Sequence, residues 1–154
     1  MYNYPVLFQE ISNRETWFQI FQICDDQTGD LIILTDANGN ALYGIYLEIS
    51  PPRRGGAGDG CDGYYGTNGY YSGVEGEPII FLSLSQGSPA NAAGSSITIP
   101  DVGTIQVQIP YTVMQKLRGS RTFNVYLRLE DTANADARQL LIGKLPVAFG
   151  GHGP

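Results

Sequence analysis

Residues 104–149 read TIQVQIPYTVMQKLRGSRTFNVYLRLEDTANADARQLLIGKLPVAF, and this stretch decides the fold class. Ile105, Val107 and Ile109 alternate with Thr104, Gln106 and Gln108, the period-two pattern of a strand with one dry and one wet face. Pro110 ends it. Val113, Met114 and Leu117 fall at i, i+1 and i+4, so one helical turn lays them on a single apolar side before Gly119, a residue suited to a left-handed cap. Phe123, Val125, Leu127 and Leu129 then alternate with Thr122, Asn124, Tyr126, Arg128 and Glu130 as a second half-buried strand. Beyond a polar turn from Asp131 to Asp136, Leu140 to Phe149 reads as a third strand. Pro146 inside it cannot donate to a ladder, which puts this strand at a sheet edge or takes it out of the sheet there. Three successive strands make a small antiparallel unit.

The rest of the chain completes that unit's core. Met1 to Asn13 has no clean period; it reads as an arm laid on a neighbour or as an irregular first strand through Val6 to Ile11, and we take the arm. Trp17 to Cys24 is apolar on both faces apart from Gln19 and Gln22, which suits a strand covered on both sides, with Trp17 a core or interface anchor. Asp25, Asp26, Thr28 and Gly29 form a turn, and Leu31 to Leu34 a short buried strand. Asp25, Asp26 and Asp30 lack the alternate-position oxygen ligands of a calcium loop and read as a solvated turn. Asn38-Gly39 is a type I′ turn signal, making Ala41 to Ile49 the second arm of a hairpin. Glu77 to Ser85 is a strand with Ile79 and Phe81 turned inward, together with Leu82 and Leu84, and Ile97 to Pro100 a short apolar segment after the small, polar loop Ser88 to Ser96. About eight strands and one short helix fit an antiparallel β-sandwich.

Length and charge narrow the function. At 154 residues the chain is a single domain, and such a chain buries roughly 70% of its unfolded surface, enough for a core without disulfides. Its net charge is −6. Duplex binding needs a basic footprint, and the short cationic groups are Arg53-Arg54 and Lys116, Arg118, Arg121; nucleic acid is not an expected partner. No apolar run approaches the roughly 20 residues of a membrane helix, and Met1-Tyr2-Asn3-Tyr4 has no basic region followed by an apolar one. The chain reads as soluble, without a secretion signal or membrane partner. Cys24 and Cys61 make no metal-ligand spacing with the single His152 and read as free thiols of a reducing compartment.

Pro51 to Gly76 is a different material. Nine of the chain's 20 glycines lie there, with the pairs Tyr64-Tyr65 and Tyr70-Tyr71 and almost no aliphatic residue except Val74. The glycines neither repeat at three nor lead from a strand into a helix, which argues against collagen and against a phosphate-binding loop. Loops of this length are functional or disordered. Glycine-rich backbone loses much entropy when fixed, whereas tyrosine brings large contact area and a hydroxyl for the rim of an interface. Tyr64, Tyr65, Tyr70 and Tyr71, with Arg53 and Arg54 and with Tyr2 and Tyr4 of the arm, are therefore the candidate interaction residues, packed against neighbouring copies of the chain in a ring or trimer. No catalytic, cofactor or metal site is expected. His152 sits in Gly-Gly-His-Gly-Pro, a poor place to hold an imidazole for a triad. Asp59, Asp62, Glu75 and Glu77 flank the loop as glycosidase carboxylates do, but a flexible loop gives them little rigid support, and we read them as solubilising.

Gly103-Thr104-Ile105, Ile109-Pro110, Met114, Leu117, Gly119, Phe123, Arg138, Leu140-Leu141 and Gly143 together resemble a module that recurs in tailed-bacteriophage and prophage virion proteins. In that module a short helix with Met and Leu joins two strands of an immunoglobulin-like sandwich, and a closing strand of the form Arg, two apolar residues, Gly, basic or apolar, Val ends the domain. Phe18-Gln19-Ile20, Asp25-Asp26, Gly29 and Leu31 to Leu34 resemble its opening strand, acidic turn and second strand; Pro51 to Val102 departs from it. The resemblance implies an immunoglobulin-like sandwich made in the host cytoplasm and built into a virion, as a tail, baseplate or neck adaptor or a head-decoration protein. Other virion proteins and copies of the chain would be its partners. The alternative is a carbohydrate-binding module in which the four loop tyrosines offer flat faces to sugar rings and nearby Asp and Asn bind hydroxyls.

Overall fold

Alternating side chains can bury one face only if a second layer covers it, and this chain supplies that layer itself. The computed structural model describes residues 6–52, 78–92, 94 and 96–150. Among them nine strands form two sheets. One runs in the order β1 (Val6–Leu7), β9 (Asp136–Ala148), β8 (Arg121–Asp131), β4 (Gly44–Ser50) and β5 (Ile80–Leu84), with β2 (Ile11–Ser12) also on β9; the other runs β3 (Trp17–Gln22), β7 (Thr104–Ile109), β6 (Ile97–Asp101). The chain is an all-β, two-layer structure. Ile105, Val107 and Ile109 of β7 are fully buried, as are Ile45, Leu47 and Ile49 of β4 and Phe123, Val125 and Leu127 of β8. Each such side chain contributes about 1.5–3 kcal/mol on leaving water.

The one helix among the described residues, α1 (Tyr111–Met114), carries the chain from one sheet to the other. Met114 and, just beyond it, Leu117 are fully buried, so the crossing also closes one end of the core. Gly119 has the expected left-handed conformation, at φ +82°, but it is not the helix cap: the helix ends at Met114 with Gln115 as its C-cap, and Gly119 lies in the bend before β8. That crossing corrects the expectation of a three-stranded unit: β7 and β8 lie in opposite sheets, and only β8 and β9 pair as an antiparallel hairpin.

Pro146 does not mark an edge. β9 has β8 on one side and β1 and β2, both parallel to it, on the other. Lys144 O accepts from Phe8 N and Ala148 O from Asn13 N, so even-numbered residues of this part of β9 point at the N-terminal segment. Pro146 lies between them, opposite the interruption between β1 and β2, where no N–H is required. The N-terminal segment from Val6 is therefore no arm on a neighbour. It pairs with the chain's own β9, buries Phe8 against Trp17 and Phe21 with edge-to-face rings 5.5 and 6.0 Å apart, and buries Asn13. Trp17 is a core residue.

Four further expectations are corrected. β3 is covered on one face only: Trp17 and Phe21 point in, while Phe18 and Ile20 are 51% and 47% exposed. Leu31 to Leu34 forms no strand; the turn through Asp25 and Gly29 brings Leu31 back to Cys24 in an isolated antiparallel bridge, and of the four residues Leu34 alone is fully buried, while Ile33 faces outward. The Asn38-Gly39 turn is not type I′, since Gly39 has positive φ and Asn38 does not. Asp36 Oδ1 instead accepts from the amides of Asn38 and Asn40, an aspartate-capped turn closed by a left-handed glycine, and the strand after it begins only at Gly44. Finally, Phe81 turns outward and Ile80 inward, because Ile80 pairs with the buried Ile49 and directly opposed residues share a face.

Candidate interaction surfaces

Tyr2, Tyr4, Arg53, Arg54, Tyr64, Tyr65, Tyr70 and Tyr71 lie outside the described residues, as do Cys61, His152, Asp59, Asp62, Glu75 and Glu77. The structure does fix where the tyrosine-rich segment leaves and returns. It connects β4 to β5, antiparallel neighbours whose last described pair is Ile49 and Ile80. Beside the exit, the buried Asn124 donates to Pro51 O at 3.4 Å and accepts from Lys144 Nζ at 2.6 Å.

The outer face of the β9-β8-β4-β5 sheet carries a connected group of aromatic and charged side chains. Register sets Tyr46 opposite Arg128 and Glu48 between Tyr126 and Phe81. The Arg128 guanidinium lies over the Tyr46 ring at 4.9 Å and reaches Glu48 at 3.6 Å, while the far side of this group is a Tyr46–Phe81 stack at 5.9 Å and 27°. Gln139, beside the irregularity where β8 and β9 shift register, donates to Leu127 O. A shallow concavity of about 170 Å³ opens between Tyr46, Glu48, Tyr126, Arg128 and Gln139. Arg128 Nε is shielded from solvent and has no hydrogen-bond partner among the described residues. Aromatic faces, a guanidinium fork and an amide so arranged can bind a polar planar or hydroxyl-rich group. The outward positions of Tyr126 and Arg128 follow from the alternation with Val125, Leu127 and Leu129, but their meeting with Tyr46 depends on strand register, which alternation does not specify.

A second surface lies where the two sheets end side by side. β3 ends its sheet, β1 ends the other, and the groove between them has Phe8, Leu127 and Leu140 in its lining. Leu7 stands on one wall at 73% exposure and Ile20 on the other.

The acidic residues act on loops. Asp25 is held below the usual carboxylate range by amides of Thr28 and Gln27, Asp36 chiefly by the Asn40 amide, and Asp131 by the Asn134 and Gln86 side chains. Asp25 thus belongs to a hydrogen-bonded turn, as expected. Among the described residues no group of three His, Cys, Asp or Glu is placed to hold a metal, and no helix is long and apolar enough to cross a membrane. Cys24 carries a free, exposed thiol. No protein-family model, curated protein or solved structure matches the chain.

Proposed function

We propose that the chain is a non-enzymatic structural component of a bacteriophage virion, an immunoglobulin-like sandwich that acts through protein–protein contacts in a tail, baseplate or neck adaptor or as a head-decoration protein. Strand order is the observation that carries this reading. β9-β8-β4-β5 follows the G-F-C-C′ order of an immunoglobulin sheet and β3-β7-β6 the B-E-D order of its partner, with the split first strand lying parallel on the last. The strand-C tryptophan of antibody domains has no counterpart, since the buried positions of β4 are Ile45, Leu47 and Ile49. The residues that carry the sequence resemblance support the same reading: Met114 and Leu117 seal the crossing between sheets, Gly119 takes the left-handed conformation just before β8, and Gly143 receives Phe8.

In this reading the sandwich is a plug, and the tyrosine-rich segment between β4 and β5 is the clasp that meets neighbouring virion subunits, copies of this chain included. Mass spectrometry of purified particles from cells carrying the gene tests it. The chain is expected at a fixed copy number per particle; a chain found only in the particle-free fraction sinks the reading.

A carbohydrate-binding module is the second reading, and the grouping of Tyr46, Phe81 and Tyr126 with Glu48, Arg128 and Gln139 on one sheet face favours it, because sugar rings stack on aromatic faces while their hydroxyls meet such polar groups. A glycan array probed with the isolated protein distinguishes it: specific binding lost in Phe81→Ala supports the module, and a blank array removes it.

A further inference from the structure

We infer that the free edge of β3 is completed by β3 of a second copy, two-fold related, so that the three-stranded sheets of two chains join into one. The inference rests on reading the chain as one that works through protein–protein contacts, but not on the particle it belongs to.

The argument begins with which backbone groups are unpaired. Ile23 N donates to Gly103 O on the β7 side, and β3 pairs with β7 from Trp17↔Ile109 to Gln22↔Thr104. Backbone direction alternates along a strand, so Trp17, Gln19 and Phe21 use their amides and carbonyls toward β7. Those of Phe18, Ile20 and Gln22 point to the opposite edge, where among the described residues no strand lies. The Gln19 side chain donates to Ile20 O at 3.3 Å, a local substitute for a strand partner.

Edge strands are ordinarily defended by charge, proline or a bulge. β6, at the far edge of the same sheet, has Pro100, Asp101 and a register shift between Thr98 and Asp101. β3 reads WFQIFQ, with none of these. In a chain of net charge −6, like meets like across a two-fold axis, and an uncharged strand can approach its own copy without like-charge contact.

The edge is also self-complementary. Antiparallel pairing centred on Ile20 sets Ile20 against its symmetry mate and Phe18 against Gln22 of the second copy. All of these residues carry outward-directed backbone groups, so each pair would exchange both hydrogen bonds. Phe18 and Ile20, the large apolar side chains left exposed on the outer face of β3, then form a cross-strand cluster about the axis. The same apposition covers the groove toward β1, where Leu7 is exposed.

Sedimentation velocity and hydrogen exchange on the full chain test this. Wild type is expected to sediment as a dimer with the Phe18, Ile20 and Gln22 amides protected. Ile20→Lys sets two like charges face to face at the axis, and Ile20→Pro removes an N–H that meets no strand partner among the described residues. Both should halve the sedimenting mass and leave the circular dichroism spectrum unchanged, and in Ile20→Lys the Phe18 and Gln22 amides should lose their protection. A monomeric wild type overturns the inference, whether those amides are open or already protected by the chain's own residues. So does a dimer that survives in either variant. Absence of the chain from particles would leave the dimer standing.

Discussion

Phe8 lies so close on Gly143 that a methyl group at that glycine would overlap its ring. The contact locks the N-terminal segment to β9, because Phe8 also meets Trp17 and Phe21 of the other sheet edge-on and so fastens the two layers together. Gly143→Ala should cost about 1–3 kcal/mol through overpacking. Phe8→Ala should cost about 3–5 kcal/mol through the cavity it leaves. Since the two residues touch, the double variant should be less destabilised than the sum of the singles; strict additivity in denaturant unfolding would show that the contact is not made.

Leu127 faces the interior shared by Ile105, Val107, Ile109, Val125 and Leu129 and pairs in register with Leu47. Leu127→Ala should cost about 2–5 kcal/mol, and an unchanged unfolding midpoint would contradict the inward face assigned to β8.

The lowered Asp25, Asp36 and Asp131 give stability a sign with pH. A carboxylate whose folded value lies below its unfolded one stabilises fully above the unfolded value, near 3.9, and loses that contribution as pH falls through the folded one. The melting temperature should hold across neutral pH and drop on the acid side of the aspartate range. Replacing all three by Asn should flatten that slope; a slope unaltered in the triple variant would assign acid sensitivity to other groups.

What was legible in the sequence had one wet face. Ile105 to Ile109 and Phe123 to Leu129 could be read because glutamine, asparagine and arginine alternate with their aliphatic residues, and Met114 and Leu117 because their spacing puts both on the inner side of the crossing. The helix itself ends at Met114, and tight turns carry the chain on to Leu117. The sheet each strand joins could not be read, since alternation is silent about partners. β1 and β2 span two residues each, too short for any period, and owe their place to Phe8 and Asn13. Trp17 to Gln22 misled because Phe18 and Ile20 are apolar residues facing outward. The Tyr46, Glu48, Phe81, Tyr126 and Arg128 group escaped notice for a related reason: each position was readable, but register alone brings three strands' side chains into one place.

Asn13 provides the last test, of how the entry to β3 is tied to the exit of β9. It is 4% exposed, and each half of its amide has one partner: Nδ2 donates to Leu117 O at 3.1 Å, and Oδ1 accepts from Gly150 N at 3.0 Å. Leu117 ends the crossing that seals the core, and Gly150 follows β9, so one side chain joins the entry to β3, the crossing and the exit of the last strand. Asn13→Ala leaves a buried carbonyl and an amide without partners, which should cost about 1–3 kcal/mol. The loss should also be local before it is global. Hydrogen exchange at Gly150 should accelerate more than at the core amides of β8, because the Gly150 amide loses its acceptor outright whereas the β8 ladder keeps both of its neighbours. Equal acceleration at both sites would mean that Asn13 supports the whole sandwich and not the junction of its ends.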